Sequence, residues 1–459
     1  MIQFLQKYGF VALAVAAISS SQASAWDGHG LVTYPALENF PLIRDAVPVA
    51  AEPFPEFLQA TQDRLVTILD EEETWARLHL ANYAPRPDNL RFAPPYDRAT
   101  AHDAFMAAMR LNGRMQLPLF RALMPDGRGL DANTIPLEEV TLIPNTVRHA
   151  EPRLERLMPG EMTAPLVILA TAADEPDYGL DIGLWSDNNT PYGKTYGFGP
   201  QPFGNPTLEF STQSPFHMGF FYEDAIVYKA ASFLKVSYAE MRIHQFMTLS
   251  RFAFRSGHPY WGHRFLGWGL HYLQDLSQPY HTSVLPGVAT WHMLAINAMA
   301  MVGITGPKTR AIQLLSNRHL TLENFQWSSM RAAYISGKLN HPLLRAAANR
   351  ASDRRFGAYG DNYPRDVVAR YGKDWAVNTD ELLSRLMPAR IVHDPDYLFL
   401  VTEPSINIAE LVDDQGSTEG RIMTKVVGQL LESFGAHTRA YVTYVLAPAL
   451  AVRAPRPGH

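Results

Sequence analysis

The chain has 459 residues, no cysteine and a formal net charge of −5 at pH 7. The absence of a basic balance argues against binding duplex nucleic acid, which requires a positive surface. The absence of cysteine excludes disulfides and thiolate metal ligands. Any bound metal must therefore be held by His, Asp, Glu or backbone groups. A hydrophobic fraction of 47% is typical of a globular chain with a real core.

The first 25 residues have the three parts of a secretory signal. Lys7 precedes an apolar run at 10–18, and the small residues Ala-Ser-Ala at 23–25 form a cleavage site. The run is too short to cross a bilayer, and no later segment reaches the ~20 apolar residues that a membrane helix needs. We expect a secreted or periplasmic protein whose mature chain begins at Trp26 and has no transmembrane helix.

The remaining chain, 26–459, reads as a single helical catalytic domain with an N-terminal insertion at about 36–165. In the insertion, short amphipathic pieces alternate with proline breaks, and one helix is predicted within 96–113. Residues 178–216 are rich in Gly, Pro, Asn and aromatics, which predicts a long irregular loop with a functional role. Helical periodicity then predicts helices within 222–257 and at 261–277, 290–303, 326–338, 378–387 and 420–447. The predicted fold class is all-α, because neither βαβ alternation nor a Gly-rich phosphate loop occurs.

The densest chemical signal is the stretch GWGLHYLQDLSQPYH at 267–281. His271 and Asp275 are four residues apart on a predicted helix, so their side chains share one face. Such a pair suits zinc, which accepts nitrogen and oxygen ligands, but two residues at this spacing can equally share a simple hydrogen bond. The apolar and aromatic neighbours favour the metal, because they indicate a buried helix where polar groups need partners. His281 follows, after Pro279 stops the helix.

A second pair at the same spacing is His319 and Glu323, in the stretch RHLTLENF. His292 is the main rival of His319, but Ile296 stands where a carboxylate is required. Three other histidines before the motif helix are interpreted as packing or supporting groups: His244, His258 and His263. The remaining histidines lack a paired ligand at helical spacing and are placed outside the site: His79, His102, His149, His341, His393 and His437.

These motifs resemble those of the bacterial zinc-dependent phospholipase C family, which shares a fold with the fungal single-strand-specific nucleases. Members of the family begin the mature chain with Trp, and carry HYxxDxxxPxH and a later HxxxENF. Here WDGHG, HYLQDLSQPYH and HLTLENF occur in the same order. The resemblance covers roughly residues 26–325. The gap between His281 and His319 is longer than in the family, which implies an insertion.

The resemblance implies three zinc ions. One site would use His271, Asp275, His217 and an earlier Asp, taken as Asp177 with Asp174, Asp181 and Asp187 as alternatives. A second site would use His281, His319 and Glu323. A third would use Asp275 as a bridge, His29, and the amine and carbonyl of Trp26. The resemblance also assigns Asp177 a catalytic role as proton acceptor, with a water held between the ions that share Asp275 as nucleophile.

The function expected from the resemblance is a phospholipase C that cleaves phosphatidylcholine or a related glycerophospholipid, at a membrane or micelle surface, to diacylglycerol and a phosphorylated head group. Glu323 and the absence of cysteine favour this activity over the alternative, a single-strand-specific nuclease or 3′-nucleotidase. Five loop aromatics could either dip into a lipid interface or pack over the cleft: Trp185, Tyr192, Tyr196, Phe198 and Phe203. A non-catalytic exported protein with structural zinc is a third, less favoured interpretation. Nothing in the sequence predicts an oligomeric state.

Overall fold

The computed structural model describes residues 28–125, 133–143, 153–204, 210–399 and 401–453. Trp26 and His149 lie outside these ranges. Helix accounts for 61% of the structure and strand for 3%, so the predicted all-α class is confirmed. No helix among the described residues is long and apolar enough to span a membrane.

The helices fall into three groups along the chain. The first group contains α1 His29–Glu38, α2 Pro41–Arg44, α3 Phe54–His79, α4 Ala101–Met109 and α5 Pro165–Ala172. The second contains α6 Pro191–Thr195, α7 Ser214–His217, α8 Ala225–Ala230, α9 Ala239–Arg255, α10 Pro259–Asp275, α11 Pro279–Thr282 and α12 Thr290–Met301. The third contains α13 Gly306–Ile335, α14 Pro342–Ala348, α15 Arg370–Leu386, α16 Ala389–Val392, α17 Ile408–Val412 and α18 Thr418–Arg453.

Two small antiparallel sheets lie in the N-terminal region. Strand β1, Val49–Ala50, pairs with β4, Met162–Thr163. Strand β2, Phe120–Leu123, pairs with β3, Arg153–Arg156, and Phe120 lies opposite Arg156. The β1–β4 pair joins the beginning of the predicted insertion to its end, whereas the β2–β3 pair lies within its second half.

The insertion is where the sequence interpretation was wrong about local structure. Instead of short pieces only, it contains α3, a continuous helix of 26 residues. Its buried positions include Phe57, Leu58, Leu65 and Leu69, spaced as expected for one face of a helix. The other expected helices are present, although α13 begins at Gly306, well before the predicted start at 326.

The core consists of two large apolar clusters, and helices α1 and α18 contribute residues to both of them. The first combines α3, α4, α5, α9 and α10 with part of α18, so the residues at 36–165 share their core with the rest of the chain. The second is formed mainly by α13 to α18. Every residue of α10 from Tyr260 to Asp275 is buried. A helix buried on all sides forces its polar residues to find partners inside the protein.

Candidate metal centre

The last turns of α10 place the first two candidate ligands. The His271 Nε2 atom lies 3.3 Å from Asp275 Oδ2, as expected for side chains one turn apart. The other ring nitrogen, Nδ1, is 2.7 Å from the carbonyl oxygen of Ala173, directly after α5. A hydrogen bond to that carbonyl fixes the ring orientation and turns Nε2 toward Asp275. Helix α10 therefore presents a preoriented nitrogen and oxygen side by side.

Asp275 is the point where several distant segments meet. Its Oδ2 is 2.8 Å from His217 Nδ1, at the end of α7. Its Oδ1 is 3.4 Å from His29 Nε2, at the start of α1, and 3.8 Å from His281 Nδ1, on α11. The side chains of Asp275 and these three histidines are at most 3% exposed. One carboxylate thus faces four imidazoles, counting His271, brought together from four helices.

The second predicted pair forms a separate group beside the first. His319 Nε2 lies 2.6 Å from Glu323 Oε1 on α13, and the ring of His281 is 5.1 Å from that of His319, centre to centre. Ligand atoms of His281, His319 and Glu323 all lie within 4.8 Å of one another. The amide of Gln278 donates to Glu323 Oε1 at 2.9 Å and holds the carboxylate in place.

Asp177 lies beside the histidine cluster. Its Oδ1 is 3.7 Å from His271 Nε2 and 3.8 Å from His217 Nδ1, and it forms a possible ligand group with His29 and His271. Its side chain is 15% exposed, more than any other described member of the site. Asp177 therefore stands where the buried cluster opens toward solvent.

The three alternative carboxylates have other partners. Asp181 lies 2.7 Å from Arg242 Nη2, accepts a hydrogen bond from Tyr272, and lies 3.6 Å from His217 Nε2. Asp174 accepts a hydrogen bond from the Gly30 backbone N–H at 2.9 Å. Asp187 accepts one from the backbone of Gln201. Asp181 and Asp174 thus have partners besides the histidines, and Asp187 belongs to the loop.

Protonation inside the cluster reflects the concentration of carboxylates. Burial opposes a charge on His29, but hydrogen bonding and attraction from Asp275 raise its pKa to about 9. Burial also opposes a charge on His217, and hydrogen bonds to Asp181 and Asp275 outweigh it, raising the pKa to about 10. Without a metal, protons on these imidazoles balance the buried carboxylate charge.

The second group has the opposite protonation. Burial lowers the pKa of His281 and of His319 to about 3, so both rings are neutral at physiological pH. Neutral imidazole is the form that binds a metal ion. Burial alone would raise the pKa of Asp275, yet the histidines around it hold that pKa well below the usual range. The centre therefore offers a carboxylate and neutral nitrogens together.

Buried atoms without a hydrogen-bond partner also indicate that these residues fit a metal ion. Within the described part of the chain, several buried ligand atoms of the cluster make no hydrogen bond, and His281 Nε2 is one of them. Buried polar atoms are almost always paired, so this nitrogen is poised for a partner that the polypeptide does not supply. A cation with His and carboxylate ligands satisfies it. Several buried groups here could hold a metal, and their donor chemistry suits zinc.

The histidines placed outside the site lie elsewhere, as far as the structure describes them. His244 pairs with Glu72, and His258 with Glu52. His263 packs edge-on against Phe254, while His292 is exposed and stacks on Trp291. None of the candidate metal groups among the described residues includes His79, His102, His341, His393 or His437.

The loop aromatics occupy the core. Trp185, Tyr196 and Phe198 are buried in the first apolar cluster, and Tyr192 packs against it. Phe203 is partly buried in a small third cluster. Their burial removes the expectation that Trp185, Tyr196 and Phe198 dip into a lipid interface. The reason is geometric, since the loop folds back over α7 and α9 and its rings fill that space.

Two glutamines of the motif were not recognised as functional from the sequence. Gln274 Oε1 is 2.9 Å from His29 Nδ1, and its amide donates to Thr33 and Thr438. Gln278 holds Glu323, as described above. The available signal was their place within HYLQDLSQPYH, where Gln274 stands next to Asp275 at the end of α10 and Gln278 stands just before α11 and His281.

Comparisons with known proteins leave the chain unplaced. Neither a protein-family profile, nor a curated protein, nor a solved structure matches it. The case for function therefore depends on the geometry above and on the motifs.

Proposed function

We propose that the protein is a zinc-dependent phospholipase C that hydrolyses the glycerol-side phosphodiester of phospholipids. One observation carries the proposal. Histidine nitrogens from three helices lie beside the carboxylate of Asp275, next to the group His281, His319 and Glu323. The order of these residues along the chain is that of the motifs that resemble the zinc phospholipase family.

The proposed ligand assignment follows the distances. His271, Asp275 and His217 would hold one zinc ion, together with Asp177, whose Oδ1 lies 3.7 Å from His271 Nε2 and 3.8 Å from His217 Nδ1. His281, His319 and Glu323 would hold another. Asp275 Oδ1 and His29 would take part in holding the third, with Trp26 completing it. Multi-metal sites rich in carboxylate suit catalysis better than the closed four-coordinate sites typical of structural zinc.

Bound zinc ions would supply Lewis acidity, lowering the pKa of water and neutralising charge that develops on phosphate oxygens. The protein side chains would supply orientation and proton transfer. Asp177, the most solvent-exposed described member, is placed to accept a proton from the attacking water and release it to solvent. The Gln213 amide donates to Asp177 Oδ1 at 3.3 Å and orients the carboxylate for that role.

The test combines metal content with two substrates. The mature protein should contain about three zinc ions per chain and release phosphocholine from phosphatidylcholine vesicles, as expected for a multi-zinc hydrolase. Asp187→Asn is the matched control, since Asp187 lies outside the ligand groups, and this variant should keep zinc and activity. Cleavage of single-stranded DNA without phospholipid hydrolysis would instead establish the nuclease. Full activity after removal of zinc would exclude both.

A further inference from the structure

The segment between the two motif histidines, His281 and His319, forms one side of an apolar cavity. The cavity has a volume of about 210 Å³ and is enclosed by α8, α12, α13 and the chain around Phe203. Its walls include Phe220, Leu234, Met293 and Ile296. Apolar walls of this kind favour a hydrocarbon ligand over a polar one.

The cavity borders the candidate metal centre. His319, a proposed zinc ligand, and Tyr280, the neighbour of His281, both line it. The rings of Tyr280 and His319 stack with centres 5.3 Å apart. A molecule whose phosphate lies at the metal centre could therefore extend an apolar tail into the cavity.

The outer surface of the same segment is apolar as well. Trp291 is 73% exposed, Met301 65%, Val302 76% and Ile304 55%. Helix α12 contains no Asp, Glu, Lys or Arg. Large apolar side chains exposed together on one short segment mark a surface that contacts another apolar phase or partner.

Charge in this segment has one sign. No acidic residue occurs from 284 to 318, whereas Lys308 and Arg310 stand at the start of α13. Lys308 also lines the cavity. Basic side chains beside exposed Trp and aliphatic residues match a phospholipid surface, where phosphates lie just above the hydrocarbon.

We propose that α12 and the turn after it form a lipid-docking face, and that the cavity beneath receives an acyl chain of the phospholipid substrate. The inference rests on the proposed phospholipase activity and goes beyond it in naming the surface and the pocket. Docking would bring the lipid surface beside the entrance of the cavity, so that a chain leaves the lipid without crossing water.

The docking face is tested by binding of the zinc-loaded protein to vesicles of a phosphonate analogue of phosphatidylcholine. Replacing the glycerol-side oxygen by CH₂ removes the bond that would be cleaved. The double variant Trp291→Ser/Met301→Ser should bind at least about tenfold more weakly, since two exposed apolar side chains are lost. The matched control is Leu78→Ser/Met158→Ser, which removes two side chains that are 75% and 60% exposed on other surfaces. Equal loss in both double variants, or no loss in either, would overturn the docking face.

The cavity is tested with soluble, monomeric substrates. Ala311 lines the cavity, and Ala311→Phe should reduce the ratio of kcat/KM for dihexanoyl over dibutanoyl phosphatidylcholine by about tenfold, because fewer methylenes can be buried. Ala332→Phe places the same ring at an exposed position of α13, the helix that carries Ala311, and should leave the ratio unchanged. An unchanged ratio in Ala311→Phe, with zinc content intact, would refute the acyl-chain pocket.

The two proposals fail in different ways. If the wild-type protein hydrolyses neither phosphatidylcholine, the phospholipase activity is wrong, and the vesicle measurement still decides the docking face. If it hydrolyses both and the variants behave as wild type, only the docking and pocket proposal is wrong.

Discussion

At the scale of single residues, Asp275 is the most constrained side chain of the centre. Its two carboxylate oxygens face His29, His217 and His271 at distances between 2.8 and 3.4 Å, in full burial. A buried carboxylate surrounded by histidines stabilises bound cations. Its removal leaves the charge on the neighbouring imidazoles without a counter-charge. Asp275 is therefore expected to matter to more than one metal ion.

Asp275→Asn should bind about two fewer zinc ions than the wild type and lose activity by at least about 10³-fold, since it removes the bridging charge from a metal-assisted reaction. The zinc bound by His281, His319 and Glu323 should remain. Elemental analysis and phosphocholine release measure both effects, and His319→Gln should show the complementary loss. Retention of every zinc ion by Asp275→Asn would contradict the assignment.

A second residue-scale prediction concerns Trp26, the expected start of the mature chain. His29 is buried against Asp275, so the chain enters the centre three residues after Trp26. A free α-amino group has a pKa near 8 and readily gives up its proton to a metal. A mature protein with one extra alanine before Trp26 should therefore contain about one fewer zinc ion.

The control is a mature chain that begins at Trp26 and is produced by the same route. Mass spectrometry establishes the terminus, and elemental analysis counts the metal. If the extended chain keeps all of its zinc, the terminal amine is not a ligand.

At the scale of elements, the contact between α10 and α5 sets the position of the site. Gly267 on α10 faces α5, and a Cβ atom there would lie 2.5 Å from Ala172 Cβ and 3.1 Å from the Leu169 carbonyl oxygen. Real Cβ contacts are not so short, so the two helices approach closely only because residue 267 has no side chain. The end of α5 supplies the Ala173 carbonyl that orients His271.

Gly267→Ala should lower the free energy of unfolding by about 1–3 kcal/mol, because the added methyl group separates two packed helices. The same displacement should weaken zinc binding, since Ala173 moves with α5. Urea unfolding and zinc titration measure these effects. Gly113→Ala is the control, because a Cβ at Gly113 meets nothing within 4 Å, and its stability should stay within about 0.5 kcal/mol of wild type.

At the scale of the whole molecule, stability comes from burial and not from covalent links, since the chain has no cysteine. Helix α18 contributes to both large apolar clusters and carries His437 between them. Burial, with a smaller contribution from Arg439, lowers the pKa of His437 to about 3. Its Nδ1 is 2.9 Å from the Tyr363 hydroxyl, so the folded state holds the ring neutral.

This histidine should make the fold sensitive to acid. The pKa of His437 in the folded state is below the unfolded value of 6.5. The contribution of the neutral, buried ring to the free energy of unfolding is therefore complete above pH 6.5 and declines as the pH falls toward 3. Between these pH values the unfolded chain binds a proton at this histidine and the folded chain does not. The free energy of unfolding therefore falls by up to about 1.4 kcal/mol for each pH unit of acidification. On acidification from pH 7 to pH 4.5, the free energy of unfolding of His437→Gln should therefore fall by about 2–3 kcal/mol less than that of the wild type.

Urea unfolding at several pH values measures the free energy of unfolding of both proteins. The contributions of the other histidines cancel in the comparison, because these residues titrate in both proteins. His393→Gln, at an exposed position, should follow the wild-type curve. Parallel curves for wild type and His437→Gln would refute the prediction.

The helical class and the ligand pairs were predictable because they depend on local spacing. His271 with Asp275, and His319 with Glu323, lie one helical turn apart wherever the helix forms, and the structure places both pairs within 3.3 Å. The long helix α3 was also within reach of periodicity, although proline-rich flanks concealed it. Local pattern does not tell which face of a loop is buried, so the sequence left open whether the aromatics at 185–203 pack inside the protein or face a lipid, and the structure buries Trp185, Tyr196 and Phe198.

The sequence by itself determined the kinds of ligand available, their local pairing and the all-α class, because side-chain chemistry and helical spacing act over a few residues. The meeting of His29, Asp177 and His217 with α10 was decided only by the tertiary structure. So were the buried positions of Gln274 and Gln278 and the cavity between the two motif histidines. These contacts join residues far apart in the chain, and they depend on how whole helices pack, which no local pattern specifies.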